Sequence, residues 1–330
     1  MVKVGVIGAG NMGRNHVRVY SELPGVELLA IADPDEGAAE VARRYGCRYY
    51  RSYEEMLRRE ELEAVSIAAP TVFHHEIALT CIDMGIHILV EKPLADTFQR
   101  AAEIASRAER AGLVLAVGHI ERYNPAVRRL REMVEQGVLG RTISLTSKRV
   151  GIFPPQIKDA NVYLDLAVHD IDVFNFLLSR MPERVFSRAE RVLAKDREDQ
   201  ALIFLEYGDV ACVTQVNWIT PVKIRRLSAT GSSGYAELDF ISQELRVFES
   251  VINRGYDSFG EFVIRFGSPR VRDVDVERAE PLKLELMDFI ESIEEGRRPA
   301  VGGAEGVAAV RIALLAQRSA QEGTFLKVEV

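Results

Sequence analysis

Cysteine is scarce: Cys47, Cys81 and Cys212 are the only three in 330 residues. They stand far apart, at no spacing that would build a disulfide framework or a thiolate metal centre. This excludes a small disulfide-stapled fold and predicts a reducing, cytoplasmic setting. Long apolar runs are also missing, since no stretch reaches the roughly 20 residues a membrane helix needs. The chain opens directly on a strand pattern, so no leader segment and no membrane association are expected. Positive charge is not in excess, the formal net charge being −7. General nucleic-acid binding relies on clustered cations that displace counterions, and this balance argues against it. No internal repeat or low-complexity stretch is present. What remains, 47% hydrophobic and 28% charged residues, is the composition of a globular protein long enough for two domains.

The first 13 residues, Met-Val-Lys-Val-Gly-Val-Ile-Gly-Ala-Gly-Asn-Met-Gly, run an apolar strand into the spacing Gly8-x-Gly10-x-x-Gly13. Gly8 suits a tight turn and Gly10 lets the backbone approach a pyrophosphate. Gly13 lets the next helix pack close and aim its N-terminal N–H groups at the anion. A second apolar strand ends in Asp33, which lies 20 residues beyond Gly13, where a carboxylate can take ribose hydroxyls. Pro34, Asp35 and Glu36 follow, and these acids would repel a 2'-phosphate, so the pattern favours NAD over NADP.

Apolar or β-branched strands are predicted at 4–7, 28–32, 48–50, 64–68, 86–90 and 114–117, with helical patterns near 12–21, 35–45, 53–60, 73–84 and 97–111. That alternation predicts an α/β domain built on a doubly wound parallel sheet. From about Arg141 the rhythm changes. Alternating segments at 142–150, 201–207, 210–218, 223–230, 234–239 and 244–248 predict a large open, mainly antiparallel sheet. Helical patterns at 283–294 and 303–321 and a strand near 325–328 close the chain. The expected division is a dinucleotide-binding domain over 1–120 and a substrate-binding, oligomerising α/β domain over 121–330.

Ligands of such a first domain lie beyond the carboxyl ends of its strands. There stand Ala69-Pro70-Thr71, then His74-His75, and Glu91-Lys92-Pro93. The paired histidines lack neighbouring carboxylates or thiols at ligand spacing, so a helix-start or cofactor contact is favoured over a metal. Lys92 would face the nicotinamide end of a bound dinucleotide. A second cluster lies in 161–178, helical by its apolar spacing, where Asp165, His169 and Asp172 share the remaining face at 100° per residue. A carboxylate and an imidazole four residues apart suit proton transfer from a substrate hydroxyl.

On these residues the chain resembles the glucose-fructose oxidoreductase, inositol dehydrogenase and rhizopine-catabolism (Gfo/Idh/MocA) oxidoreductases. The motifs run in order: Gly8-x-Gly10-x-x-Gly13, Ala69-Pro70-Thr71-x-x-His74, Glu91-Lys92-Pro93, Gly118-His119-x-x-Arg122-x-x-Pro125 and Asp165-x-x-x-His169-x-x-Asp172. The resemblance implies a nicotinamide cofactor held by Gly8, Gly10, Asn11, Met12, Gly13, Asp33, Ala69, Pro70, Thr71, His74, Glu91 and Lys92. It implies Lys92, Asp165 and His169 at the catalytic positions, with His119, Arg122 and Tyr123 among the substrate contacts. It further implies a homodimer or homotetramer formed through the second sheet. The strings at 118–125 and 165–172 look like those of sugar-nucleotide members, especially the UDP-N-acetylglucosamine 3-dehydrogenases. One departure is Asn161-Val162-Tyr163-Leu164, a bulkier entrance where many members carry glycines.

The expected reaction is oxidation of a sugar ring hydroxyl, with either Lys92 or His169 accepting the proton. The run from Ser147 to Lys158 carries Lys148, Arg149 and Lys158 and is expected to hold a substrate diphosphate. Alternative readings are a polyol, inositol or free-sugar dehydrogenase, glycoside cleavage with transient redox, a dinucleotide-sensing regulator without catalysis, and a structural or interaction protein that uses the sheet face.

Overall fold

The computed structural model describes residues 1–152, 160–249, 252–256, 262–266 and 270–329, the segments 252–256 and 262–266 by backbone alone. In the first third, strands and helices alternate: β1 (Val2–Ile7), α1 (Asn11–Glu22), β2 (Val26–Ala32), α2 (Ala38–Tyr45), β3 (Arg48–Tyr50), α3 (Tyr53–Arg59), β4 (Ala64–Ile67), α4 (Thr71–Asp83), β5 (His87–Glu91), α5 (Phe98–Arg110) and β6 (Leu115–Gly118). The six strands form one parallel sheet in the order β3-β2-β1-β4-β5-β6. Val4, Val6, Ile31, Val65, Ile67, Ile88, Val90 and Val117 are buried, because a parallel sheet covered by helices hides both faces of each strand. The strand order reverses between β1 and β4, which opens a crevice beyond their carboxyl ends.

The chain continues through a short turn of helix at Ile120–Tyr123, then α6 (Pro125–Glu135), β7 (Thr142–Ile152) and a π turn at Tyr163–Ala167 that leads into α7 (Val168–Leu178). Next come β8 (Arg184–Glu190), β9 (Gln200–Tyr207), β10 (Val210–Asn217), β11 (Ile219–Gly231), β12 (Gly234–Asp239), β13 (Glu244–Glu249), β14 (Ile252–Tyr256), β15 (Phe262–Phe266) and β16 (Arg270–Val274). Helices α8 (Pro281–Glu295) and α9 (Gly303–Glu322) and strand β17 (Leu326–Lys327) complete it. Nine strands make the second sheet, in the order β16-β13-β12-β11-β7-β10-β9-β8-β17, antiparallel except where β7 runs parallel to β10. A separate hairpin pairs β14 with β15. The predicted α/β class with two sheets is therefore what the chain forms.

Two compact units result, and the division is not a single cut. One comprises 1–123, the described part of 154–172, and 279–317; the other comprises 124–153 as far as described, 173–278 and 318–330 likewise. The chain returns to the first unit because α8 is apolar along one side. Leu282, Leu286, Phe289 and Ile290 join Val17, Tyr20 and Leu23 in one buried cluster, while Val301 and Val310 join Ile104 and Leu115 in another. In the second unit, α6 buries Val127, Leu130 and Met133 and packs against β12 and β13. Asn124 caps that helix, its Oδ1 accepting from the Ala126 N–H at 3.1 Å, ahead of Pro125 at the first helical position. No described helix is long and apolar enough to cross a membrane.

Candidate active site

The glycine loop between β1 and α1 is shaped by close backbone approach. Gly8 has φ +92°, and a Cβ there would lie 2.6 Å from the Ala68 carbonyl. At Gly13 a Cβ would lie 1.8 Å from Gly8 O, whereas at Gly10 it would meet no described atom within 4 Å. Two glycines are thus required by packing, and the third leaves open space before the N-terminus of α1, as a bound pyrophosphate requires. Asn11 and Met12 open the helix. Asp33 closes the loop from the side, with Oδ2 accepting from the Ala9 N–H at 2.6 Å and Oδ1 from the Asp35 N–H at 2.8 Å. Each carboxylate oxygen has a second lone pair for a ribose hydroxyl. These residues fit a dinucleotide.

Beyond β4, Pro70 precedes the first residue of α4, Thr71. His74 is buried at that helix start, and its ring nitrogens meet Ala69 O at 2.8 Å and Pro93 O at 2.9 Å. It ties the loop after β4 to the loop after β5. His75 instead pairs with Glu103 at the surface, 2.8 Å away.

Lys92 follows β5 directly. Its Nζ donates to Asp165 Oδ1 at 3.0 Å and to Asp165 O at 2.9 Å, and both side chains keep a small exposed edge, 18% and 14%. Asp165 lies in the π turn, started by Asn161, whose Oδ1 accepts from the N–H groups of Tyr163 and Leu164 at 3.1 and 3.2 Å. The bulky entrance expected at Asn161-Val162-Tyr163-Leu164 needs correcting on this point. Val162 and Tyr163 are wholly buried and Leu164 nearly so, so their bulk fills the core. The helical wheel needs correcting as well, because a uniform 100° step does not hold through a π turn. His169, half-buried, stands one turn further on in α7.

Asp172 does not line an open face. It is 1% exposed and takes both arms of Arg122, Nε to Oδ2 at 2.8 Å and Nη2 to Oδ1 at 2.7 Å. Arg122 and Tyr123, expected on the substrate, thus have internal partners, the Tyr123 hydroxyl donating to Asp288 Oδ2 at 2.8 Å. His119 is buried beside Asp172, Arg122, Lys92 and Glu91, and burial pushes its ring down toward the neutral form. The basic run is also dispersed. Neighbours on a strand face opposite sides, and β7 turns Lys148 outward while Arg149, 4% exposed, lays its guanidinium over Phe240 at 4.9 Å. Lys158 lies outside the described residues. The sequence reading passed over His16, which meets Glu91 at 2.9 Å, and Glu285. His16 follows Gly13 by three residues, one turn inside α1, and that position was the available signal.

Comparison with known proteins agrees with this geometry. A model described as oxidoreductase family, NAD-binding Rossmann fold, matches residues 2–119, and its companion for the C-terminal alpha/beta domain matches 131–330. The chain is similar to the UDP-N-acetylglucosamine 3-dehydrogenase of Acidithiobacillus ferrooxidans, 33% identical over 92% of this chain and 93% of that protein. It is also similar to the myo-inositol 2-dehydrogenase of Thermotoga maritima, 25% identical over 99% of both. A solved structure of the Acidithiobacillus enzyme matches with a TM-score of 0.81 at 28% identity, over 97% of this chain and 98% of that one.

The Arg122–Asp172 pair generates a prediction about stability. Removing one partner of a buried pair leaves the other charge unsatisfied, at a cost of about 3–5 kcal/mol. Asp172→Ala is expected to lower unfolding free energy by that order in denaturant titration, and a loss within experimental error of zero would show that the pair carries no such strain.

Proposed function

The chain belongs to the Gfo/Idh/MocA family of NAD-binding oxidoreductases, and we propose that within it the protein oxidises a ring hydroxyl of a nucleotide sugar, in the manner of a UDP-N-acetylglucosamine 3-dehydrogenase. The contact of Lys92 with Asp165 carries the chemical part of this reading, because it brings a cation and a carboxylate from distant parts of the chain to the carboxyl end of the cofactor-binding sheet. The likeness to the Acidithiobacillus enzyme supports the substrate class. Gly8, Gly10, Gly13, Asn11, Met12 and Asp33 hold the dinucleotide, with Ala69, Pro70, Thr71 and Lys92 along its nicotinamide end, while the Glu91 carboxylate turns inward onto His16. Bound NAD supplies the hydride acceptor.

The chain's own groups handle the proton and the charge. An ammonium that donates to a carboxylate has no lone pair to offer, so the accepting role falls to His169, which takes the hydroxyl proton. Lys92 hydrogen-bonds the same oxygen and stabilises the negative charge developing on it. Asp165 anchors Lys92 through both its carboxylate and its carbonyl, which fixes the donor before substrate arrives. His119 borders this group as a neutral ring. One observation favours a free polyol or inositol as a second reading: Arg149 is buried against Phe240 and Lys148 faces away, so neither supports the diphosphate role expected of them.

Purified protein incubated with NAD and a panel of nucleotide sugars, free sugars and myo-inositol tests both readings through reduced-cofactor absorbance and product mass. Turnover of UDP-N-acetylglucosamine with a product two hydrogens lighter is expected; faster oxidation of myo-inositol would put the second reading first. On whichever substrate turns over, Lys92→Ala and His169→Ala should each lower kcat by about a hundredfold while NAD affinity stays within a few-fold. A variant with near-normal kcat removes that residue from the mechanism.

Cofactor choice follows from Asp33, whose carboxylate is fixed by two backbone N–H groups and cannot turn away from a 2'-phosphate. Titration should show NADH bound more tightly than NADPH, with Asp33→Ser plus Pro34→Arg narrowing the difference. Equal affinities in the unaltered chain would refute the assignment.

The second sheet supports self-association. The side of it opposite α6 carries Leu202, 50% exposed, and beyond it a groove of about 260 Å³ in which Lys148, Arg226 and Arg246 alternate with Glu237, Asp239 and Glu244. Mixed charge flanking an exposed leucine is complementary to a two-fold copy of itself. Light scattering at micromolar concentration should report a dimer or tetramer, and Leu202→Glu should shift it toward monomer; a monomer in the unaltered protein would end this reading.

A further inference from the structure

Behind Lys92 lies a second set of ionisable groups that the mechanism above leaves unused. Glu91, the last residue of β5, is 7% exposed; its Oε1 meets His16 Nε2 at 2.9 Å and its Oε2 accepts the backbone N–H of Lys92 at 3.1 Å. Space for that carboxylate is reserved on the neighbouring strand, where a Cβ at Gly118 would lie 2.8 Å from Glu91 Oε2. Glu285 on α8 is 1% exposed, and among the described residues neither of its carboxyl oxygens has a hydrogen-bond partner. His16 Nδ1 has none either.

We propose that Glu285 is a positioning residue of the hydride-transfer site, a protonated acid that leaves Glu91 as the single anion clamping the Lys92 backbone. The proposal rests on the role given to Lys92 above. The charges that face Glu285 are Glu91 from β5, Asp288 from α8 itself and Asp172, paired with Arg122, from α7; Tyr20 adjoins it from α1 and His16 stands behind Glu91. Burial, then the field of those three carboxylates, holds the Glu285 carboxyl well above its usual range. Glu91 goes the other way: burial would raise it, but the hydrogen bond and charge of His16, with Lys92, keep it below the usual range. Two neighbouring carboxyls driven apart in this way share one proton and one charge. An unpaired buried acid also costs stability, so a functional return is the physical reason to look for one. The return is that Lys92, already matched by Asp165, has one buried anion behind it rather than two. A second would damp the pull of its ammonium on the reacting oxygen.

The sign of the pH dependence follows from linkage. The folded chain keeps a proton on Glu285 that the unfolded chain releases in the ordinary glutamate range. The associated stability is therefore fully present below that range and is lost as pH rises through the raised folded value.

The test compares the full-length protein with Glu285→Gln. Infrared difference spectra at neutral pH should show the C=O stretch of a protonated, poorly hydrogen-bonded carboxylic acid in the unaltered protein and not in the variant. The gain in melting temperature of Glu285→Gln over the unaltered chain should grow as pH rises. The alkaline limb of its kcat profile should move up by about one pH unit or more, a shift that mere packing would not produce. Glu91→Gln should lower kcat by about tenfold or more with NAD affinity held within a few-fold. The infrared and melting measurements need no turnover, so they remain readable if the substrate panel fails. Absence of the acid band, a melting difference independent of pH, or an unmoved alkaline limb would each overturn the proposal.

Discussion

Everything chemical in the first unit depends on how closely α1 can approach the end of β4. Gly8 packs its backbone against Ala68, and Gly13 packs against Gly8 in turn, at distances that admit no side chain. This contact sets where α1 begins and therefore where its first buried polar residue, His16, points. His16 reaches Glu91 at the end of β5, Glu91 holds the Lys92 backbone, and Lys92 reaches Asp165. The loop that leaves room for an anion is thus mechanically continuous with the groups proposed to handle the substrate hydroxyl. A methyl group at position 13 would displace a helix, and with it a chain of three polar contacts.

Charge along that chain is arranged in pairs with one exception. Lys92 is matched by Asp165 and Arg122 by Asp172, and in both cases the partners come from segments remote in sequence, so the fold itself brings opposite charges together. Desolvation of each ion is offset only while its partner remains. Pairing of this kind fixes geometry more than it adds stability, which suits a site where a donor must wait in place. Glu285 is the exception. Among the described residues it has no hydrogen-bond partner, which is tolerable only as a neutral acid, and the field of its three carboxylate neighbours favours that form.

The parallel sheet was legible because its strands are apolar on both faces and its turns carry glycine where packing demands it. Predicted and observed strands of the first sheet differ by at most two residues at either end, as at β1, read from Val4 and found from Val2. Local pattern could also place Lys92 and Asp165 on strand end and helix, each with the right chemistry. It could not join them, since a bond spanning 73 residues leaves no local trace. The internal partners of Arg122 and Tyr123 were hidden for the same reason: polarity in a motif signals that a residue has a partner, not which one, and here Asp172 and Asp288 take them. Strand β8 escaped notice because its inward positions include Ser187, buried and hydrogen-bonded to Ser319 and Leu202, so its alternation is not one of hydrophobicity. The opposed directions of Lys148 and Arg149 were available from strand alternation; a count of cations along the chain overrode it.

The π turn at Tyr163–Ala167 is where local and global demands meet most openly. A regular helix over 161–178 would carry Asp165 and Asp172 on one face, yet the fold needs them on different partners, Asp165 on Lys92 and Asp172 on Arg122. Widening one turn changes the angular relation between residues before and after it at the cost of poorer local hydrogen bonding. Buried Val162, Tyr163 and Leu166 offset that cost by filling the core beneath the turn. The bulky residues that looked like an obstruction in the sequence are therefore what allows the turn to exist. Replacing them by glycine would remove the packing that keeps Asp165 aimed at the lysine.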